Sequence, residues 1–174
     1  MKKLLKKVMA AMLCMGLFWG VGCKKDNPIT TGSGPGEEPE PIEYPIEIPF
    51  EEYTLPETCQ WKNLTYEEWE SLVPEVIIIN SDRELENHVT CMEISYFEID
   101  FSKYSLLLAR GKINRSGYAI CNNLQQLSER NYEMKVDCYI TTLGTITTWY
   151  APVVVNKLSE ECTVELLTDH IVIN

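Results

Sequence analysis

Residues 132–142 alternate strictly. Tyr132, Met134, Val136, Cys138 and Ile140 face one way, and Glu133, Lys135, Asp137 and Tyr139 face the other. A two-residue period lays one face on a core and the other in water only as a β-strand. Residues 118–127 pair with this strand as a hairpin around Ser128-Glu129-Arg130-Asn131. Two registers compete. A turn centred between Glu129 and Arg130 puts Cys121 opposite Cys138 and permits a bridge, but it turns Asn123 and Gln125 inward. A one-residue slip sends Ile120 and Leu124 inward, toward Ile140 and Val136, and moves Cys121 to the other face. Burying two apolar side chains is worth roughly 3–5 kcal/mol, comparable with a disulfide. The apolar register is therefore preferred, and a Cys121–Cys138 bridge is disfavoured.

Other segments follow the same logic. Val76–Ile79 and Tyr104–Ala109 are unbroken apolar runs, expected as strands buried on both faces. Tyr150–Leu158 and Cys162–Ile173 are the last strands, with Pro152 at a strand start or an edge. Two capping boxes open short helices. Thr65 with Glu68 begins one over about residues 66–72, stopped by Pro74, and Ser81 with Glu84 begins one reaching His88 or Val89. His88 is read as a solvated helix-end residue. About six strands and two early helices give an α+β fold, mainly an antiparallel sheet curled over its own core. Arg110 to Gly117 is read as a loop. It carries Arg110, Lys112 and Arg115, three of the nine basic residues after position 57, as a charged turn or a docking patch.

The N-terminal region has a different character. Lys2, Lys3, Lys6 and Lys7 precede an apolar run of 15 residues, Val8 to Gly22. A membrane span needs roughly 20, so the run fits an export signal better than a permanent helix. Gly20-Val21-Gly22 stands directly before Cys23, as a lipoprotein cleavage site requires, although Gly20 occupies a position where Leu is usual. Cys14 is a poor rival because Leu13 before it is bulky. Residues 1–22 are thus expected to be a signal peptide, and Cys23 to carry acyl chains. Such chains contribute about 0.8 kcal/mol per buried methylene, and two or three hold a protein on a bilayer. Lys24-Lys25 is unlike an inner-membrane retention signal, so the outer membrane is favoured, with the domain facing the periplasm or the cell surface. Residues 23–49, with Thr30-Thr31-Gly32-Ser33-Gly34-Pro35-Gly36 and then prolines 39, 41, 45 and 49 among glutamates, read as a tether. Alternatively, Ile46-Glu47-Ile48 is an edge strand ended by Pro49. Residues 50–174 are one globular domain.

The whole chain has 15 basic and 26 acidic residues; removing the four signal lysines leaves 11 − 26 = −15. That balance argues against nucleic acid as a partner and serves solubility. Five cysteines follow Cys23: Cys59, Cys91, Cys121, Cys138 and Cys162. An exported chain can form disulfides, and the odd number leaves at least one thiol over. Cys59–Cys91 is the preferred bridge, joining the start of the domain to the loop after the second helix. His88 and His170 are the two histidines, and no Cys/His cluster exists, so neither metal nor cofactor is expected. Nucleophile elbows, phosphate loops and metalloprotease motifs are absent. The glutamates at 67, 68, 70, 84 and 86 read as helix surface, and Asp100 as a loop or cap residue. Cys138 or Cys162 would need a cation or histidine to become nucleophilic. Trp149-Tyr150 is the best candidate for stacking on a ligand, against a packing role.

Cys59-Gln60-Trp61, Ile79-Asn80-Ser81-Asp82 with Glu84-Leu85, Ile99-Asp100-Phe101-Ser102-Lys103-Tyr104 followed by Leu106-Leu107-Leu108-Ala109, and Val155-Asn156-Lys157-Leu158-Ser159 resemble Bacteroides-type lipoproteins of unknown function. The likeness covers about residues 55–167. It implies cysteines at both positions of the Cys59–Cys91 pair. A looser similarity, resting on the strand, helix, "DFSKYSLLLARG" and hairpin order, is to the C-terminal domain of PrcB, a lipoprotein subunit that stabilises a secreted protease complex. It implies a protein-interaction module and carries over no catalytic residue. The expectation is a non-enzymatic lipid-anchored envelope protein that binds another envelope protein; the alternative is a small-ligand or glycan binder. The anchor is directly measurable. Metabolic labelling with radioactive palmitate should mark the native chain, and Cys23→Ala should abolish the label and release the protein from the membrane fraction.

Overall fold

The computed structural model describes residues 42–92, 97–142 and 144–173. The signal, Cys23 and the tether up to residue 41 lie outside the described residues. The mainly antiparallel α+β reading holds, and its strands divide between two four-stranded sheets and a two-stranded ribbon. In chain order the elements are β1 (Ile46–Glu47), β2 (Glu51–Glu52), β3 (Cys59–Trp61), α1 (Tyr66–Ser71), β4 (Glu75–Ile79), α2 (Asp82–Glu86), β5 (Val89–Cys91), β6 (Tyr104–Ile113), β7 (Gly117–Gln126), β8 (Asn131–Thr141), β9 (Thr147–Asn156) and β10 (Thr163–Ile173). The first sheet has the order β1-β7-β8-β10 and the second β2-β9-β6-β4, while β3 pairs with β5. All pairs are antiparallel except β8 with β10.

The two sheets share a core. Leu107, Ala109 and Ile113 of β6 and Trp149, Ala151, Val153 and Val155 of β9 meet Cys121 and Leu124 of β7 and Met134, Val136 and Cys138 of β8. The other face of the second sheet is covered as well. There Leu106 and Leu108 pack with Ile79, Leu85, Val89 and Ile99, and with the half-buried Trp61, Cys91 and Tyr150. β6 is therefore buried on both faces, which explains its unbroken Ser105–Ala109 run. The helices and the ribbon form the outer cover.

Local chemistry sets the boundaries. The Thr65–Glu68 box closes in both directions, at 3.3 Å and 2.7 Å. At the second helix Ser81 accepts from the Glu84 amide, but the Glu84 carboxylate reaches the Asn80 amide at 2.6 Å instead of the cap's own. That helix ends at Glu86, short of the expected His88, because Val89 is drawn into pairing with Trp61. Cys91 thus lies on a strand and not in a loop. It stands directly opposite Cys59, and the two are bonded. One buried polar side chain locks the end of the second sheet. The Ser105 hydroxyl donates to Asn80 Oδ1 at 2.5 Å and accepts from the Leu158 amide at 2.9 Å.

Two sequence expectations change. Pro152 lies inside β9, opposite Leu108 and between two neighbours. The amide and carbonyl of one strand residue point the same way, and the Pro152 carbonyl accepts from the Tyr53 amide. The missing donor therefore faces β2, leaving the β6–β9 ladder intact, and β2 is correspondingly short. Ile46–Glu47 is paired as an edge strand with Gln125 and Gln126, and the Ile48 amide donates to the Leu124 carbonyl. The fold thus takes in residues that the main reading gave to the tether.

Gly111 faces the indole of Trp149: a Cβ there would lie 2.6 Å from Cζ2. The ring is 3% exposed and has no room to retreat. Gly111→Ala should destabilise the fold by about 1–3 kcal/mol. Combining it with Trp149→Leu should give less than the sum of the two single losses in chemical denaturation.

Candidate interaction surface

The basic residues at the end of β6 are engaged within the fold. Because β6 runs to Ile113, Arg110 and Lys112 are strand residues and not loop residues. Arg110 places Nε and Nη2 on Glu75 Oε1, at 2.8 Å and 2.7 Å, across the β4–β6 pair. Lys112 Nζ donates to the carbonyls of Trp69 and Glu70, at 3.2 Å and 2.6 Å, and lies 5.1 Å from the Trp69 ring centroid. It satisfies carbonyl groups at the end of α1, which has no basic residue in its own last turn. Arg115 alone lies in the β6–β7 turn, exposed.

The aromatic candidates separate by parity. Trp149 is buried between the sheets and presents no ring to a ligand. Tyr150 points to the opposite face of β9, stacks on Trp61 at 5.5 Å, and donates its hydroxyl to the Lys62 carbonyl at 3.3 Å. Both are packing residues here.

The buried thiols are similarly inert. Burial pushes the Cys121 thiol up to about 12 and the Cys138 thiol up to about 11. A reactive cysteine needs the reverse. Asp100 is held down to about 2 by Ser102 and Lys103, which makes it an anchored loop carboxylate.

An open cleft of about 930 Å³ lies between residues 49–56 and 98–104. Its rim carries Glu51, Glu52, Glu98 and Asp100, and Phe50, Tyr53 and Tyr104 line it. Of the residues weighed from the sequence, Asp100 lies in it, while Arg110, Lys112, Arg115, Trp149 and Tyr150 do not.

The outer face of the first sheet holds apolar surface that the sequence reading missed. β7 carries a bulge: Cys121 pairs with Val136, and Asn123 with Lys135. The extra residue, Asn122, switches parity. Cys121 and Leu124 both turn inward, and neither expected register survives. Cys138 faces Ala119, and both thiols remain free. Ile120, expected inside, is 37% exposed. Beside it Tyr118, 52% exposed, stacks on Tyr139 at 5.1 Å, and Ile171 of β10 lies next to Tyr139 in the parallel register. Leu167, 41% exposed, lies further along β10, separated from this row by Asp137, Asp169 and the Lys135–Asp169 ion pair. The adjacent Asn122-Asn123 pair was the one available signal for the bulge. Because the stacked rings cover one another's faces, the row presents edges and methyl groups to solvent.

No family model, curated protein or solved structure matches this chain. Among the described residues no group of His, Cys, Asp and Glu is arranged to hold a metal ion, and no helix is long and apolar enough to cross a membrane.

His88, expected as a solvated helix-end residue, lies between α2 and β5 and is half-buried. Burial first, then the Arg110 charge and, less, Lys62, hold its imidazole below the ordinary 6.5, with Glu75 and Glu84 pulling the other way. The folded state favours neutral His88. The associated stability is complete above pH 6.5 and is lost as pH falls from there through the folded value. Thermal denaturation followed downward from neutral pH should show this decline, and His88→Gln should flatten it.

Proposed function

We propose that this is a lipid-anchored envelope protein whose domain is a non-catalytic protein-interaction module, docking through the outer face of the first sheet. The observation that carries the reading is the Tyr118, Ile120, Tyr139 and Ile171 surface. A contiguous exposed apolar patch on a sheet is costly in water and is characteristic of a surface that meets another protein. Tyrosines suit such a surface, since a large ring is fixed at little entropic cost. Two further facts agree with a non-catalytic role. The buried thiols are held protonated, and the basic residues at the end of β6 are occupied by Glu75 and by helix carbonyls. The Cys23 anchor would restrict encounters to envelope partners.

A small-ligand or glycan role is the second reading. It would use the cleft between residues 49–56 and 98–104, whose Phe50 and Tyr104 are the available rings.

The two readings separate experimentally. Tyr118 is replaced by photo-reactive benzoylphenylalanine in the full chain, and intact envelopes are irradiated. Discrete protein adducts are expected at position 118. They should be missing from a control with the same group at Glu57 and reduced when Cys23→Ala mislocalises the protein. Binding on a glycan array, with position 118 yielding no protein adduct, would replace the first reading with the second.

A further inference from the structure

We propose that β10 pairs with β10 of a second copy, antiparallel about a two-fold axis at Thr168, so that two first sheets become one continuous sheet. The argument starts from how the four sheet edges end. β1 and β2 are two residues each and stand beside Pro45 and Pro49, a length and composition that discourage a further strand. β4 is five residues long, starts after Pro74 and runs into α2. β10 differs from all three. It runs for 11 residues without proline, lysine or bulge, pairs throughout with β8 on one side, and has no neighbour on the other among the described residues. A row of free backbone donors and acceptors of that length accepts an added strand. Val172, 55% exposed, and Leu167 are the apolar side chains that an added strand would flank.

The side chains specify the occupant. A two-fold axis perpendicular to the sheet keeps each side chain on its own face, so it must pass through a residue position. The register that uses the whole strand centres on Thr168. It sets Val164 against Val172, Leu166 against His170, Glu165 against Ile171 and Leu167 against Asp169. No like charges meet. Each one-residue shift of the centre opposes acids directly: at Leu167, Glu165 faces Asp169, and at Asp169 that residue faces its own copy. Like charges directly opposite are destabilising. The full-length register is thus also the one its neighbours disfavour slipping from. Asp169 is ion-paired with Lys135 at 2.8 Å, which offsets part of the acidity of the strip, where Glu133 and Asp137 flank Glu165 and Asp169. The pairing uses the edge and leaves the Tyr118 face free, so it stands independently of the docking reading above.

The test uses the full chain in intact envelopes. With Thr168→Cys, the two introduced thiols lie directly opposite across the axis, within disulfide range. With Glu165→Cys they lie roughly 20 Å apart along the strands. Mild oxidation in a Cys162→Ser background should give a covalent dimer with Thr168→Cys, in about tenfold excess over Glu165→Cys. A second measurement needs no cysteine. Two differently tagged copies should co-purify; Leu167→Glu, which faces Asp169, should reduce this, and Leu167→Lys should preserve it. Equal dimer yields at 165 and 168, monomer only, a Thr168→Cys adduct with a different protein, or co-purification indifferent to charge at 167 would each overturn the pairing.

Discussion

A strand buried on both faces needs a cover on each side, and β6 takes its covers from different parts of the chain. One face of its Leu106–Ala109 run meets β7 and β8 across the sandwich; the other meets α2, the ribbon and Ile99. Burying such side chains is the main favourable contribution to a fold of this size. The remaining elements can be read as ways of keeping both covers in place. Ser105 ties the start of β6 to Asn80 at the end of β4 and to Leu158 after β9. Lys157 adds the carbonyls of Asn80 and Phe101, and Arg110 holds Glu75 near the far end of β4. The Cys59–Cys91 bond joins the two strands of the cover, and Lys62 and Met92 extend their pairing through His88 and Thr58.

These ties bring three polar-ended segments together. Ile79-Asn80-Ser81, Phe101-Ser102-Lys103-Tyr104 and Val155-Asn156-Lys157-Leu158 come from three parts of the chain and meet at one end of β6. Their polar residues satisfy each other and the neighbouring backbone. They form a structural lock, while the exposed Tyr118–Ile120 row lies on the other sheet.

Legibility followed the range of the interaction. The alternation of β8, the Thr65–Glu68 box and the apolar run of β6 are local patterns with local causes, and they fold as they read. What failed depended on distant partners. The bulge at Asn122 satisfies Cys121 and Leu124 together, which neither unbroken register could do, and with Cys121 inward Ile120 faces out. Arg110 and Lys112 looked like loop charges because their partners, Glu75 and the end of α1, lie more than thirty residues away. Trp149 and Tyr150 look equivalent as neighbours in sequence. Their opposite parity on β9 puts one in each core. The candidate surface was the least legible part, because it consists of residues left over after the core is filled.

The placement of the free thiols has a consequence for how the chain matures. Cys121 and Cys138 sit inside the sandwich, diagonal to one another on paired strands and out of reach of the Cys59–Cys91 bond. Thiol–disulfide exchange requires a thiolate that can reach the bond it attacks. In the folded chain two of the three spare thiols are shielded, and Cys162 is the sole accessible rival to the Cys59–Cys91 linkage among the described residues.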